Sequence, residues 1–277
     1  MMLVRVLLVA HAVALVFGLG GMLIALPHPE LWSSSPVGRD VFAFGMQYAG
    51  SLHMVLGAAT MLAFGVVALG WRRTAIFFAL ACGLSLGAEL IGTSTGYPFG
   101  NYAYTSGLGY KILDRVPFSI PLSWFYMGFA ALCIGGVVAR WQPLWSVLLG
   151  AYLLTGWDLV LDPAMAHPGL ALNFWTWHQA GPYFGMPIQN FVGWTATGLA
   201  FMGISRRLWG TQVPTISAQI PLAVYALNVA FAMVLSAAGG VWPPIAIVLF
   251  ALALVTAFTL LELPRRVRPM PTRSALG

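Results

Sequence analysis

The feature that most constrains this chain is a series of apolar runs, each about as long as a bilayer is thick. Eight can be marked: Leu3 to Leu26, Val41 to Gly70, Thr74 to Thr93, Phe118 to Ala139, Pro143 to Leu161, Pro187 to Ser205, Ala218 to Ala238 and Val241 to Leu263. A helix rises 1.5 Å per residue, so about 20 apolar residues cross the hydrocarbon core. The runs are continuous rather than alternating, which favours helices over a β-barrel. Charge is scarce: 7% of the 277 residues, with 60% hydrophobic, where soluble domains carry about 25% charged residues. The chain therefore predicts an all-α, polytopic membrane helical bundle of about eight transmembrane helices. One transmembrane domain is expected over residues 1–264, followed by a basic tail at 265–277. The first run is too long for a signal-peptide core and lacks a small-residue cleavage pattern, so it reads as a retained helix.

Basic residues orient the bundle. Arg5, Arg72, Arg73, Arg140, Arg206, Arg207, Arg265, Arg266, Arg268 and Arg273 fall on one side, against Arg39, Lys111 and Arg115 on the other. The excess of arginine marks the cytoplasmic face, which places both termini there and the protein in the cell membrane as a multi-pass chain. The net charge of +6 is explained by this topology, and no nucleic-acid partner is expected. Cys82 and Cys133 lie in apolar runs and read as small core hydrophobes.

The acids follow the opposite bias. Glu30, Asp40, Glu89, Asp114, Asp158 and Asp162 map to the outer half, and Glu262 alone to the inner. Two outer connections, Gly92 to Pro117 and Asp162 to Met186, are long and rich in aromatic residues. Loops of that length are usually functional or disordered, and aromatic content argues against disorder. They are expected to fold back over the outer mouth.

An ionisable group at membrane depth is costly and normally faces a cavity or a partner. Glu89 lies 15 residues past Thr74, and Asp158 lies 15 past Pro143, in runs of the same direction. The two acids therefore share a depth. Asp162 is one turn beyond Asp158 on the same face, and Asp162-Pro163 is expected to end that helix. The returning "PIQNFVGW" brings Asn190 to the same layer, with Trp194 one turn deeper. Glu89, Asp158, Asp162 and Asn190 are thus candidate catalytic residues. Aromatic residues surround the layer and can line an apolar tunnel or stabilise a cation. Gln47, Ser51 and His53 are polar residues of the second run, open to a cavity role or to interhelical hydrogen bonding. The histidines are scattered, and no dinucleotide, phosphate-loop or haem-attachment pattern occurs, so neither a metal nor a redox cofactor is expected.

The segments "GTSTGYPFGNYAYTSGLG", "PLSWFYM", "DLVLDP" and "WTWHQAGPYFGMPIQNFVGW" together resemble the CruF-type carotenoid 1,2-hydratases, a family that includes bisanhydrobacterioruberin hydratase. The resemblance covers about Gly87 to Trp194. It implies addition of water across the terminal C1–C2 double bond of an acyclic (ψ) carotenoid end, without a cofactor. Its implied partners are a carotenoid drawn from the bilayer, water and lipids, and association with other carotenoid enzymes stays open.

That reaction needs a proton donor, a shield for a tertiary carbocation and a positioned water. Asp158 and Glu89 are expected to carry the proton chemistry, with Asp162 and Asn190 holding the water or tuning the donor. Which acid donates stays open. Substrate-binding candidates are Tyr97, Phe99, Asn101, Tyr102, Trp124, Trp175, Trp177, Phe191 and Trp194. An end-group cyclase would share the protonation step but leave product mass unchanged. A carotenoid-binding or transport protein would retain unmodified pigment.

Overall fold

The computed structural model describes residues 1–265 apart from 168, 171, 211–213 and 215. Eight α-helices follow one another: α1 Met2–Gly20, α2 Pro36–Leu69, α3 Trp71–Thr95, α4 Ser119–Val138, α5 Pro143–Ala166, α6 Ile188–Leu208, α7 Gln219–Ala238 and α8 Trp242–Arg265. Six of the described helices (α1–α5 and α7) are long and apolar enough to cross a membrane. The protein is thus a helical membrane bundle, as the apolar runs predict. α6 is less apolar because it carries Gln189, Asn190, Arg206 and Arg207. The arginines beyond 265 lie outside the described residues.

α4 is the axis of the bundle. Its apolar window is 83% buried, against 22% for α1, so α1 is a peripheral helix and α4 has protein on nearly every side. α4 packs against α2, α3, α5 and α7. The α4–α5 crossing is close because both helices present glycine: a Cβ on Gly135 would stand 2.8 Å from Gly150 N and 2.9 Å from Ser146 O. Small residues at a crossing are how membrane helices gain packing without a hydrophobic drive.

The turns carrying inner arginines meet at one end. Arg206 donates to Trp141 O at 3.2 Å with its guanidinium over the Trp141 and Trp209 rings, while Trp209 donates to Arg73 O at 3.0 Å.

At the other end the two long loops pair. β1 (Tyr102–Tyr104) runs antiparallel to β4 (Trp175–Trp177), in register Tyr102↔Trp177, Ala103↔Thr176 and Tyr104↔Trp175. A small hairpin of β2 (Lys111–Ile112) and β3 (Val116–Pro117) lies between β1 and α4 in the chain. Because side chains alternate across a strand, the four large aromatics share the inner face, while Ala103 and Thr176 face out.

Two expectations are corrected. α2 begins at Pro36, with Ser35 as its cap; at 34 residues it is about 51 Å long and exceeds the hydrocarbon core. α5 does not stop at Asp162-Pro163 but runs on to Ala166. Proline removes the N–H that would bond the carbonyl four residues back. Here that carbonyl, Leu159 O, accepts from Tyr183 Oη at 3.0 Å, so the helix continues at no cost in unpaired backbone.

Candidate active site

The half of the bundle that carries the β1–β4 strap encloses a small chamber lined from α2, α3, α4, α5, α6, α7 and the strap. Its volume is about 50 Å³, room for a few waters. Glu89, Asp158, Asp162 and Asn190 all line it, and each is at most 3% exposed. Glu89 on α3 and Asp158 on α5 line the same chamber, and one helical turn separates Asp158 from Asp162. Among the described residues, no lysine or arginine lines the chamber.

Hydrogen bonding distinguishes the acids. Glu89 is held by three donors: Tyr102 Oη and Tyr104 Oη (2.9 Å) to Oε2, and Trp124 Nε1 to Oε1 at 3.0 Å. Burial and the adjacent Glu89 push the Tyr102 phenol well above its ordinary range, so it stays a donor. Asp162 also has three, from Trp175 Nε1 (2.8 Å) and Trp177 Nε1 (3.1 Å) to Oδ1, and from Asn190 Nδ2 to Oδ2 at 2.8 Å. Asp158 has one, from the same Asn190 Nδ2 to Oδ2 at 2.8 Å, and its buried Oδ1 has no partner. The Asn190 orientation is fixed by its neighbours: flipped, its carbonyl would face two carboxylates.

Aromatic faces close the remaining walls. Trp124 and Trp194 stack at 3.8 Å, and Trp157 meets Trp194 edge-on at 5.9 Å. Phe99 packs 6.0 Å from Trp124.

Of the substrate-binding candidates, Phe99, Tyr102, Trp124, Trp175, Trp177 and Trp194 line the chamber. Tyr97, Asn101 and Phe191 do not. Tyr97 is 71% exposed. Asn101 is held through its backbone, its N–H by Gln179 Oε1 and its carbonyl by His178 N. Phe191 packs 5.1 Å from Tyr183. Ser51 bonds its own helix through Tyr48 O, and Gln47 is exposed, whereas His53 lines the chamber.

Tyr104 and Trp157, two of the aromatic residues expected around the acid layer, also line the chamber. Sequence reasoning missed a buried polar chain on the α2 and α7 side of the chamber. In that chain Tyr126 Oη donates to Asn228 Oδ1 at 2.8 Å, Asn228 Nδ2 contacts His11 Nε2 at 2.9 Å, and His11 Nδ1 reaches His53 O at 2.8 Å. The set closes if His11 is neutral with its hydrogen on Nδ1. A polar residue in the middle of an apolar run, as at His11 and Asn228, is the signal that could have found it. Among the described residues, no three His, Cys, Asp or Glu side chains group to hold a metal ion.

Fold and site define a polytopic helical membrane protein with a buried three-acid chamber walled by aromatic rings. Residues 49–255 match the family model described as "Carotenoid biosynthesis protein", well over half of the chain. The chain belongs to that family. It is also 32% identical over 139 residues to the bisanhydrobacterioruberin hydratase of Haloarcula japonica; the match spans 48% of this chain and 45% of the relative. The chain thus covers less than half the length of that curated relative. No solved structure matches it.

Proposed function

We propose that this protein is a carotenoid 1,2-hydratase of the cell membrane, adding water across the terminal C1–C2 double bond of an acyclic carotenoid end. The observation that carries the reading is the unpartnered Oδ1 of Asp158 among stacked indoles, beside two acids already saturated with donors. Three buried carboxyl groups that line one chamber, with no lysine or arginine among its described lining residues, are not all ionised. Donors saturate Glu89 and Asp162, and such bonds favour the ionised form, so the proton belongs on Asp158.

The steps balance without a cofactor. Asp158 Oδ1–H gives its proton to C2, and the π electrons form the C2–H bond. The cation left at C1 is shielded by the faces of Trp124, Trp157 and Trp194. A water held by the carboxylates attacks C1, and its released proton returns to Asp158. The product is a tertiary alcohol, and the acid is regenerated. The relative's name, a hydratase of a carotenoid, supports the reaction class.

The test expresses Asp158→Asn and Glu89→Gln variants in a host that makes acyclic-ended carotenoids, with pigments read by chromatography and mass spectrometry. Wild type should yield a product one water heavier. Loss of a general acid removes about 10²-fold or more of rate, so Asp158→Asn should give almost none. If both variants give wild-type yield, the mechanism is wrong. A product of unchanged mass would instead indicate end-group cyclisation.

A further inference from the structure

A chamber of about 50 Å³ cannot hold a carotenoid; it can take no more than the reacting end, with side chains or water displaced. The long remainder of the molecule needs a place of its own. A second cavity of about 410 Å³ lies between α1, α2 and the segment that carries Leu172 and Phe174. We propose that this cleft binds the polyene chain of the carotenoid and directs its acyclic end past His53, Met165 and Phe231 into the acid chamber. The choice of a carotenoid as occupant rests on the function proposed above.

Three observations carry the inference. The two spaces adjoin across a shared wall: His53, Met165 and Phe231 line both. The cleft is bounded on one side by the peripheral helix α1, only 22% buried, so a molecule dissolved in the bilayer reaches it from lipid. Its lining contains no charged side chain. Its one indole N–H, on Trp32, is already given to Ala25 O at 2.7 Å. A phospholipid would bring a headgroup that finds no partner there, whereas a hydrocarbon polyene asks for none.

Glycine makes the cleft. Gly18, Gly20 and Gly21 line it, and a Cβ on any of them meets no atom within 4 Å. Gly20 and Gly21 have ordinary right-handed helical angles, so larger residues strain no backbone. A side chain placed there fills the cleft rather than the core.

The experiment compares Gly18→Phe and Gly21→Phe with Gly203→Phe, a helical glycine in α6 whose Cβ also meets open space but which lies outside both cavities. Cells supply a full-length acyclic carotenoid, and purified protein receives a short terpenoid olefin with the same end. Filling an occupied site costs about tenfold or more in conversion. Both cleft variants should lose that much on the long substrate while converting the short one like wild type, and Gly203→Phe should convert both normally. Wild-type conversion of the long substrate by Gly21→Phe, or equal loss on both substrates, overturns the proposal. Failure of the function reading shows separately, as no hydrated product from wild type with either substrate. Pigment retained by purified protein then decides the cleft alone. Loss of pigment in Gly21→Phe upholds it, and undiminished pigment, or loss of bound phospholipid instead, overturns it.

Discussion

Replacing Asn190 by leucine tests how the acid layer is held. Asn190 is 2% exposed, and its Nδ2 donates at 2.8 Å to both Asp158 Oδ2 and Asp162 Oδ2. One amide thus supplies the two hydrogens that keep neighbouring carboxyl groups apart in the dark of the bundle. Leucine has the same branched heavy-atom skeleton with bulkier methyl ends, so the change removes hydrogen bonds and leaves no cavity. A bond to a charged group contributes about 1.5–3 kcal/mol and one to a neutral group about 0.5–1.5 kcal/mol, so with Asp162 ionised and Asp158 protonated the two together are worth about 2–4.5 kcal/mol. At about 2–4 °C per kcal/mol for a chain of this size, the lower figure is a fall of about 4–8 °C in melting temperature. The assay is thermal unfolding of detergent-purified protein, followed by the fraction surviving size-exclusion chromatography after heating. Asn190→Gln, one methylene longer, should recover part of the loss. A leucine variant that melts within 2 °C of wild type would show that the amide does not bridge the two acids, and would undercut the assignment of the proton to Asp158.

Other expectations follow from single contacts. Tyr183→Phe frees Leu159 O beside Pro163 and should cost about 1 kcal/mol; in a Pro163→Ala background the cost should shrink, because the restored N–H takes that carbonyl, and a double-mutant cycle on thermal stability measures the difference. The Tyr183 hydroxyl, pushed up to about 12 chiefly by burial, stays a donor at neutral pH, so this coupling should not change between pH 6 and pH 8. Gly135→Ala drives a methyl to within 2.9 Å of α5 backbone and should cost about 1–3 kcal/mol, whereas Gly83→Ala, whose methyl meets nothing within 4 Å, should stabilise by up to about 1 kcal/mol. Asn228→Leu strips partners from both Tyr126 and His11 and should lower stability by about 2–3 kcal/mol, read in the same unfolding assay.

What the sequence made legible was whatever depends on helical periodicity. Fifteen residues from Thr74 to Glu89 and fifteen from Pro143 to Asp158 led to a shared layer by counting, and although α3 itself starts at Trp71, both acids line the same chamber. The bundle class was legible for the same local reason. Pairing between distant segments was not. Tyr102 and Trp177 are brought together by a strand of three residues, too short for a propensity signal. Pro163 misled because its effect depends on a hydroxyl 20 residues later in the chain. The cleft beside α1 left no mark because lipid-facing and cavity-facing glycines look alike in sequence. Tyr97 and Asn101, adjacent to the chamber in sequence, point elsewhere because the chain turns between them.

The strap of β1 on β4 has a consequence for biogenesis. Glu89 enters the membrane with α3, and Asp158 and Asp162 with α5, before Trp175, Trp177 and Asn190 have left the ribosome. An acid at the centre of an inserting helix costs about 2.5–3.5 kcal/mol, less toward its end. Glu89 finds its donors in Tyr102, Tyr104 and Trp124, which precede α5 in the chain, whereas Asp158 and Asp162 wait for Trp175, Trp177 and Asn190. Only when the second loop folds over the first are those groups matched, so assembly of the mature bundle is completed by the same residues that furnish its chemistry.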